Sequence, residues 1–145
     1  MPRWLGVDYG EKRVGLAVSD PDAFLATSKD VCLVTGPRDA LEQVSRAFAA
    51  YGAQAVVVGL PLNMDGSRGP AALKAEQFAR DLAERLKMPV RLWDERLTTK
   101  AAHDVLIEGG TRRERRREVV DKLAAQLMLQ NFLDAQGGAL PPGSP

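Results

Sequence analysis

Residues 55–60, Ala-Val-Val-Val-Gly-Leu, form a short unbroken apolar run rich in valine. A strand of that character has no solvent face and must be covered on both sides, which is the habit of parallel strands in α/β sheets. The run therefore demands helices above and below a sheet, and its neighbours supply them. From Arg38 onward, Leu41, Val44 and Phe48 recur at helical spacing, and Gly52 sits where that helix would stop. A second helix begins at Pro70, a residue tolerated at a first helical position, and Phe78, Leu82 and Leu86 line its apolar side. Val90 to Asp94 then reads as a further strand, entered through Pro89.

Ahead of the run the period is two. Residues 4–9 read as a strand, Gly10-Glu11-Lys12 as a tight turn, and residues 13–19 alternate with Val14, Leu16 and Val18 on one face. A third, weaker strand is expected over 28–34. At the other end, a short helix is expected from about Thr99 to Glu108, closed by Gly109-Gly110. Thr111-Arg112-Arg113-Glu114 has capping-box spacing and opens a long helix to about Ala135, with Gly137 beyond it. The order predicts an α/β domain with a mixed sheet. With 145 residues and 45% hydrophobic content, one domain over 1–136 is expected, followed by a disordered Pro/Gly/Ser-rich tail over 137–145.

Composition narrows the setting. No stretch reaches the roughly 18 apolar residues of a membrane span, and residues 1–4 show no apolar signal core. A single cysteine, Cys32, forms no internal disulfide and fits a reducing, cytoplasmic location. It reads as a small buried hydrophobe, and His103 as an exposed helix residue. Net charge is only +1, yet Arg112, Arg113, Arg115, Arg116 and Arg117 crowd one short run. That local patch suits a polyanion, or equally a solvated helix start balanced by Glu114 and Glu118.

Three acids stand where acids are costly. Asp8 shares a strand face with Trp4 and Gly6, while Leu5, Val7 and Tyr9 point the other way. A turn-forming Asp capping Gly10 is the plainer alternative. Asp94-Glu95 ends a strand at the sheet edge where α/β sites gather, or it is a solvated strand end. Asp121 precedes Ala124, Ala125, Met128 and Phe132 at helical spacing, and it lies too deep in the helix for a dipole role. At about 4 Å and an effective dielectric near 20, each like-charged pair costs on the order of 4 kcal/mol. A domain stable by about 5–15 kcal/mol does not readily carry three such charges unrelieved. Either their pKa values rise or divalent cations neutralise them, and oxygen-only ligands point to Mg²⁺ or Mn²⁺.

The blocks Gly6-Val7-Asp8-Tyr9-Gly10, residues 13–20, residues 59–67, Asp94-Glu95-Arg96-Leu97-Thr98-Thr99 and residues 120–125 occur in order. Together they resemble the YqgF family, described both as Holliday junction resolvases and as pre-16S rRNA nucleases. The resemblance runs from Leu5 to about Leu133. It implies a ribonuclease-H-like fold, a central mixed five-stranded sheet flanked by helices, with the first strand in the middle. It also implies catalytic, metal-binding acids at Asp8, Glu95 and Asp121, with two ions expected in the presence of substrate. A fourth ligand has no assigned residue.

The expected partner is nucleic acid, branched DNA or structured precursor rRNA, and no membrane. Candidate contacts are Lys12 and Arg13 at the hairpin tip, Asn63, Ser67 and Arg68 in the loop after the valine run, and Arg96, Thr98 and Thr99. The arginines at 112, 113 and 115–117 complete the set. The loop 61–67 reads equally as an Asx/Gly turn, and one of the two threonines as a helix N-cap. A homodimer would suit symmetric junction cutting, whereas RNA trimming needs none. Two rivals differ in class. A sugar-kinase-like phosphotransferase would need a second lobe and has no Walker loop here. A regulatory factor of the same fold would bind nucleic acid without cleaving it.

Overall fold

The computed structural model describes residues 2–95 and 113–137, with side chains placed for 2–95 and 123–136. Strands β1 (Trp4–Tyr9), β2 (Arg13–Ser19) and β3 (Ala26–Leu33) come first. Helix α1 (Pro37–Ala50), strand β4 (Ala55–Leu60), helix α2 (Pro70–Leu86), strand β5 (Val90–Asp94) and helix α3 (Arg113–Gly137) follow. The five strands form one sheet in the order β3-β2-β1-β4-β5. β1, β2 and β3 are antiparallel neighbours, while β4 lies parallel between β1 and β5. β1 is central, as expected. The helix expected over 99–108 and the capping box at Thr111 lie outside the described residues.

The sheet has two cores, one per face. Leu5, Val7, Val14, Leu16, Val18, Val56 and Val58 pack under α1 and α2, against Val44, Phe78 and Leu82. Trp4, Ala17 and Val57 face α3, against Ala125, Met128, Leu129 and Phe132. β4 is buried on both sides, as its valine run requires. Phe132 packs edge-on against Trp4 and Trp93, with ring centroids 4.7 and 5.5 Å away.

α3 approaches closely over β1. A Cβ built on Gly6 would lie 2.9 Å from Leu129 Cβ, so only glycine fits beneath the helix there. At the edge, the Gln130 side chain accepts from the Ala26 amide at 2.9 Å and donates to the Phe24 carbonyl at 2.8 Å. That tie accounts for one shift from expectation. β3 begins at Ala26 rather than Ser28, because Ala26 is buried under α3 and pairs with Ser19.

Helix ends follow local chemistry. Pro37 and Pro70 open α1 and α2 at positions where a missing N–H costs nothing. α2 closes on Lys87, whose left-handed backbone (φ 56°) turns its N–H back to the Ala83 carbonyl.

Candidate active site

Phe132 sits over Trp4 and Leu129 over Gly6, so α3 runs antiparallel to β1 and its earlier turns lead toward Asp8. Asp8 is on the α3 face, as the alternation of β1 requires, and pairs in register with Gly15 of β2. On the other side, β4 presents Gly59 on the same face as the buried Val57.

Glu95 fills the space Gly59 leaves. A Cβ on Gly59 would fall 2.3 Å from Glu95 Oε1 and 2.4 Å from its carboxyl carbon, an impossible approach. The Glu95 backbone N–H donates to the Leu60 carbonyl at 3.1 Å, extending the parallel pairing of β4 and β5 by one residue. Backbone and side chain together pin this carboxyl across the end of β4. Only 6% of Glu95 is exposed.

There the Glu95 carboxyl donates a hydrogen bond to the Asp8 carboxylate. Burial pushes the Glu95 pKa up to about 11, reinforced by the hydrogen bond and by the charges of Asp8 and Asp94. Burial also raises Asp8, while the hydrogen bond from Glu95 works against that rise. A proton held between the two carboxyls relieves the electrostatic conflict expected from the sequence.

The donors are all oxygen and lie side by side, which suits a hard divalent cation in place of the proton. Among the described side chains, no three His, Cys, Asp or Glu groups converge on such an ion. Asp121 belongs to α3, one turn ahead of the buried Ala124 and Ala125, on the length of helix leading toward Asp8. Its side chain lies outside the described part of the structure.

A family model for RuvX, described as Holliday junction resolvase, matches residues 2–135. The chain belongs to the RuvX family. It is a nuclease by that membership, and its close relatives agree. A protein from Pelotomaculum thermopropionicum, described as "Putative pre-16S rRNA nuclease", is 49% identical over 99% of this chain and 97% of its own length. One from Syntrophomonas wolfei with the same description is 44% identical over 95% of this chain and 96% of its own.

The fold is shared more widely. Thermus thermophilus RuvC in complex with a Holliday junction matches with TM-score 0.55 at 16% identity, over 93% of this chain and 95% of that one. The fowlpox virus Holliday junction resolvase matches with TM-score 0.56 at 14% identity, over 92% of this chain and 98% of that one. The ribonuclease-H-like architecture expected for a RuvX protein is therefore the one observed.

The other candidate residues of this RuvX chain divide by place. Asn63 and Ser67 belong to a self-bonded turn. Asn63 Nδ2 donates to Ser67 Oγ at 2.9 Å, Ser67 Oγ donates to Asp65 Oδ1 at 2.6 Å, and Gly66 takes a positive φ of 89°. Arg68 is bound to Glu76 of α2. Both observations lean toward the turn reading of this loop. Lys12 is exposed and Arg13 half-buried beside the hairpin turn. Arg113, Arg115, Arg116 and Arg117 lie in the first turns of α3, with side chains outside the described part. Arg96, Thr98, Thr99 and Arg112 lie outside the described residues altogether.

Sequence reasoning overlooked Gly59. A glycine inside a valine-rich buried strand signals a close approach, but not what approaches.

Proposed function

We propose that this RuvX protein hydrolyses phosphodiester bonds in structured nucleic acid with Mg²⁺ or Mn²⁺ held by Asp8, Glu95 and Asp121. The observation that carries this reading is the Asp8–Glu95 carboxyl pair, brought together in the gap Gly59 leaves, where burial raises the pKa of both groups. Two like carboxyls forced together in a stable domain are a poor structural device and a good cation site.

In this reading Asp8, Glu95 and Asp121 are the residues that would hold the ions. Bound there, divalent cations supply positive charge to the phosphate and acidify water for attack. Asp8 and Glu95 would ligate only when ionised, so the proton between them would have to pass to solvent for the pair to hold a cation. Gly59 leaves room for the Glu95 carboxyl across β4, and the backbone bond to Leu60 holds it there before substrate arrives. The arginines that open α3 hold the sugar–phosphate backbone without reading sequence, and Lys12 and Arg13 add to them from the hairpin. No side chain is needed as nucleophile, and the products carry 5′-phosphate and 3′-hydroxyl ends.

The relatives at 49% and 44% identity, with their pre-16S rRNA description, favour precursor rRNA as substrate over a DNA junction. The test sets a labelled precursor rRNA beside a four-way DNA junction, each with Mg²⁺, Mn²⁺ or EDTA, and with Asp8→Asn as control. Metal-dependent cuts lost in the variant are expected, with RNA preferred. Binding without cleavage under every condition would replace the nuclease with a regulatory factor of the same fold.

A further inference from the structure

The side chain that follows Asp8 points to the opposite face of the sheet and into a different space. Tyr9 lines a cavity of about 1100 Å³ between the β1–β2 turn, the start of α1 and the first half of α2. This exceeds the roughly 300–1,000 Å³ usual for small-molecule sites, in a chain of 145 residues. Its floor is aromatic. The Tyr9 ring stacks on Phe78 with centroids 4.4 Å apart and planes at 21°, and Val34 and Pro37 extend the apolar surface.

Its walls carry hydrogen-bonding groups. Gln77 Nε2 donates to Asp81 Oδ1 at 3.0 Å, and the pair presents an amide and a carboxylate beside the Tyr9 hydroxyl. At the hairpin end, Lys12 and Arg13 give positive charge. Lys74 of α2 is bound to Glu11 in the turn, and this exposed ion pair separates the cavity from a smaller one of about 250 Å³ that Tyr9 also lines. An exposed pair of this kind holds weakly and yields readily to a ligand. The Tyr9 floor and the Gln77–Asp81 wall are no part of the carboxylate pair, which lies across the sheet.

A stacked aromatic floor, a wall able to pair with a polar edge, and cations at the hairpin end are the complement of one nucleotide. Sequence-tolerant stacking on aromatic rings is how unpaired bases are held generally. We propose that this cavity takes an unpaired base of the substrate strand, laid against Tyr9, with its phosphate toward Lys12 and Arg13. The inference rests on the nuclease reading above and deepens it. Adjacent residues of β1 would serve adjacent features of one strand, Asp8 the bond to be cut and Tyr9 the base beside it. The preferred substrate is then one with an unstacked nucleotide next to the cleavage point rather than a continuous duplex.

The test separates binding from cleavage. Asp8→Asn protein in EDTA is titrated with AMP, GMP, CMP, UMP and ribose 5-phosphate while backbone amide NMR shifts are followed. Saturable shifts at Tyr9, Gly10, Lys74 and Gln77 with the nucleotides, and not with ribose 5-phosphate, are expected. Tyr9→Leu should weaken them about tenfold or more. Gln77→Ala, at an exposed position that leaves the core intact, should weaken them as well. An oligonucleotide with 2-aminopurine at an unpaired position should lose fluorescence on binding through stacking, and keep it with Tyr9→Leu. Equal shifts with ribose 5-phosphate, or none at these amides, would overturn the proposal. If cleavage persists while nucleotide binding is absent, only the cavity proposal falls. If nucleotides bind while no substrate is cut, only the nuclease assignment falls.

Discussion

The two faces of the sheet are built from different materials. Under α1 and α2 the central strands offer Leu5, Val7, Leu16, Val56 and Val58, all fully buried and aliphatic. Under α3 the same strands offer Gly6, Asp8, Ala17, Val57 and Gly59, mostly small residues that let the helix and the Glu95 side chain come close. Bulk on one face provides cohesion, and its absence on the other provides room for carboxyl groups. Alternation along β1 and β4 keeps the two tasks on neighbouring residues without mixing them.

Substitutions can pull these tasks apart. On the α3 face, Asp8→Asn should lower metal-dependent cleavage on the order of 10³-fold, the scale of losing a metal's several kcal/mol of stabilisation. Its urea-denaturation midpoint in EDTA should hold or rise, since one member of a strained acid pair is gone. A variant that kept wild-type turnover would end the contrast.

On the opposite face, Leu16→Ala should cost about 2–5 kcal/mol of unfolding free energy, read by urea denaturation. Cleavage per folded molecule should be retained. If turnover fell well before stability did, the faces would not be independent.

A smaller effect sharpens the comparison at one atom. Gly59→Ala places a methyl within the Glu95 carboxyl and should reduce activity roughly 10–100-fold, the range for displacing a group that orients a metal ligand. The loss should appear as weaker Mg²⁺ dependence in a metal titration, with modest change in stability. Unchanged metal affinity would mean that Glu95 relaxes without consequence.

The mildest test uses pH. Glu95 holds its proton up to about 11 in the folded chain, against 4.5 when unperturbed. Between those values the folded state binds the proton that the unfolded state has released, so metal-free stability falls as pH rises from about 4.5. Denaturation in EDTA at pH 5, 7 and 9 should show the decline, with Glu95→Gln flattening it and Mg²⁺ opposing it. A flat wild-type profile would contradict the shared proton.

Much of this was legible in the chain because it is local. The two-residue period put Val14, Leu16 and Val18 on one side of β2, and it set Asp8 with Trp4 and Gly6. Helical spacing from Asp121 picked out Ala124, Ala125, Met128 and Phe132, all of which are buried. What escaped depends on register between distant segments. Nothing near Gly59 announces Glu95, nothing near Tyr9 announces Phe78, and Arg68 gives no sign of Glu76. Those partners meet only once β4, β5 and α2 take their places on β1. The same holds for the loop at Asn63, whose turn chemistry was readable but whose internal closure was not.

The late position of α3 has a consequence for the ribosome that makes this chain. Strands β1 to β5 emerge first, and until α3 follows, Trp4, Val57 and Trp93 lack the helix that buries them. The sheet is then covered on one face only. In the proposed site the Asp121 ligand travels on α3, so cutting power arrives only once that helix has been made. An enzyme whose proposed substrate is ribosomal RNA would thereby stay blunt on the ribosome until α3 joins the sheet.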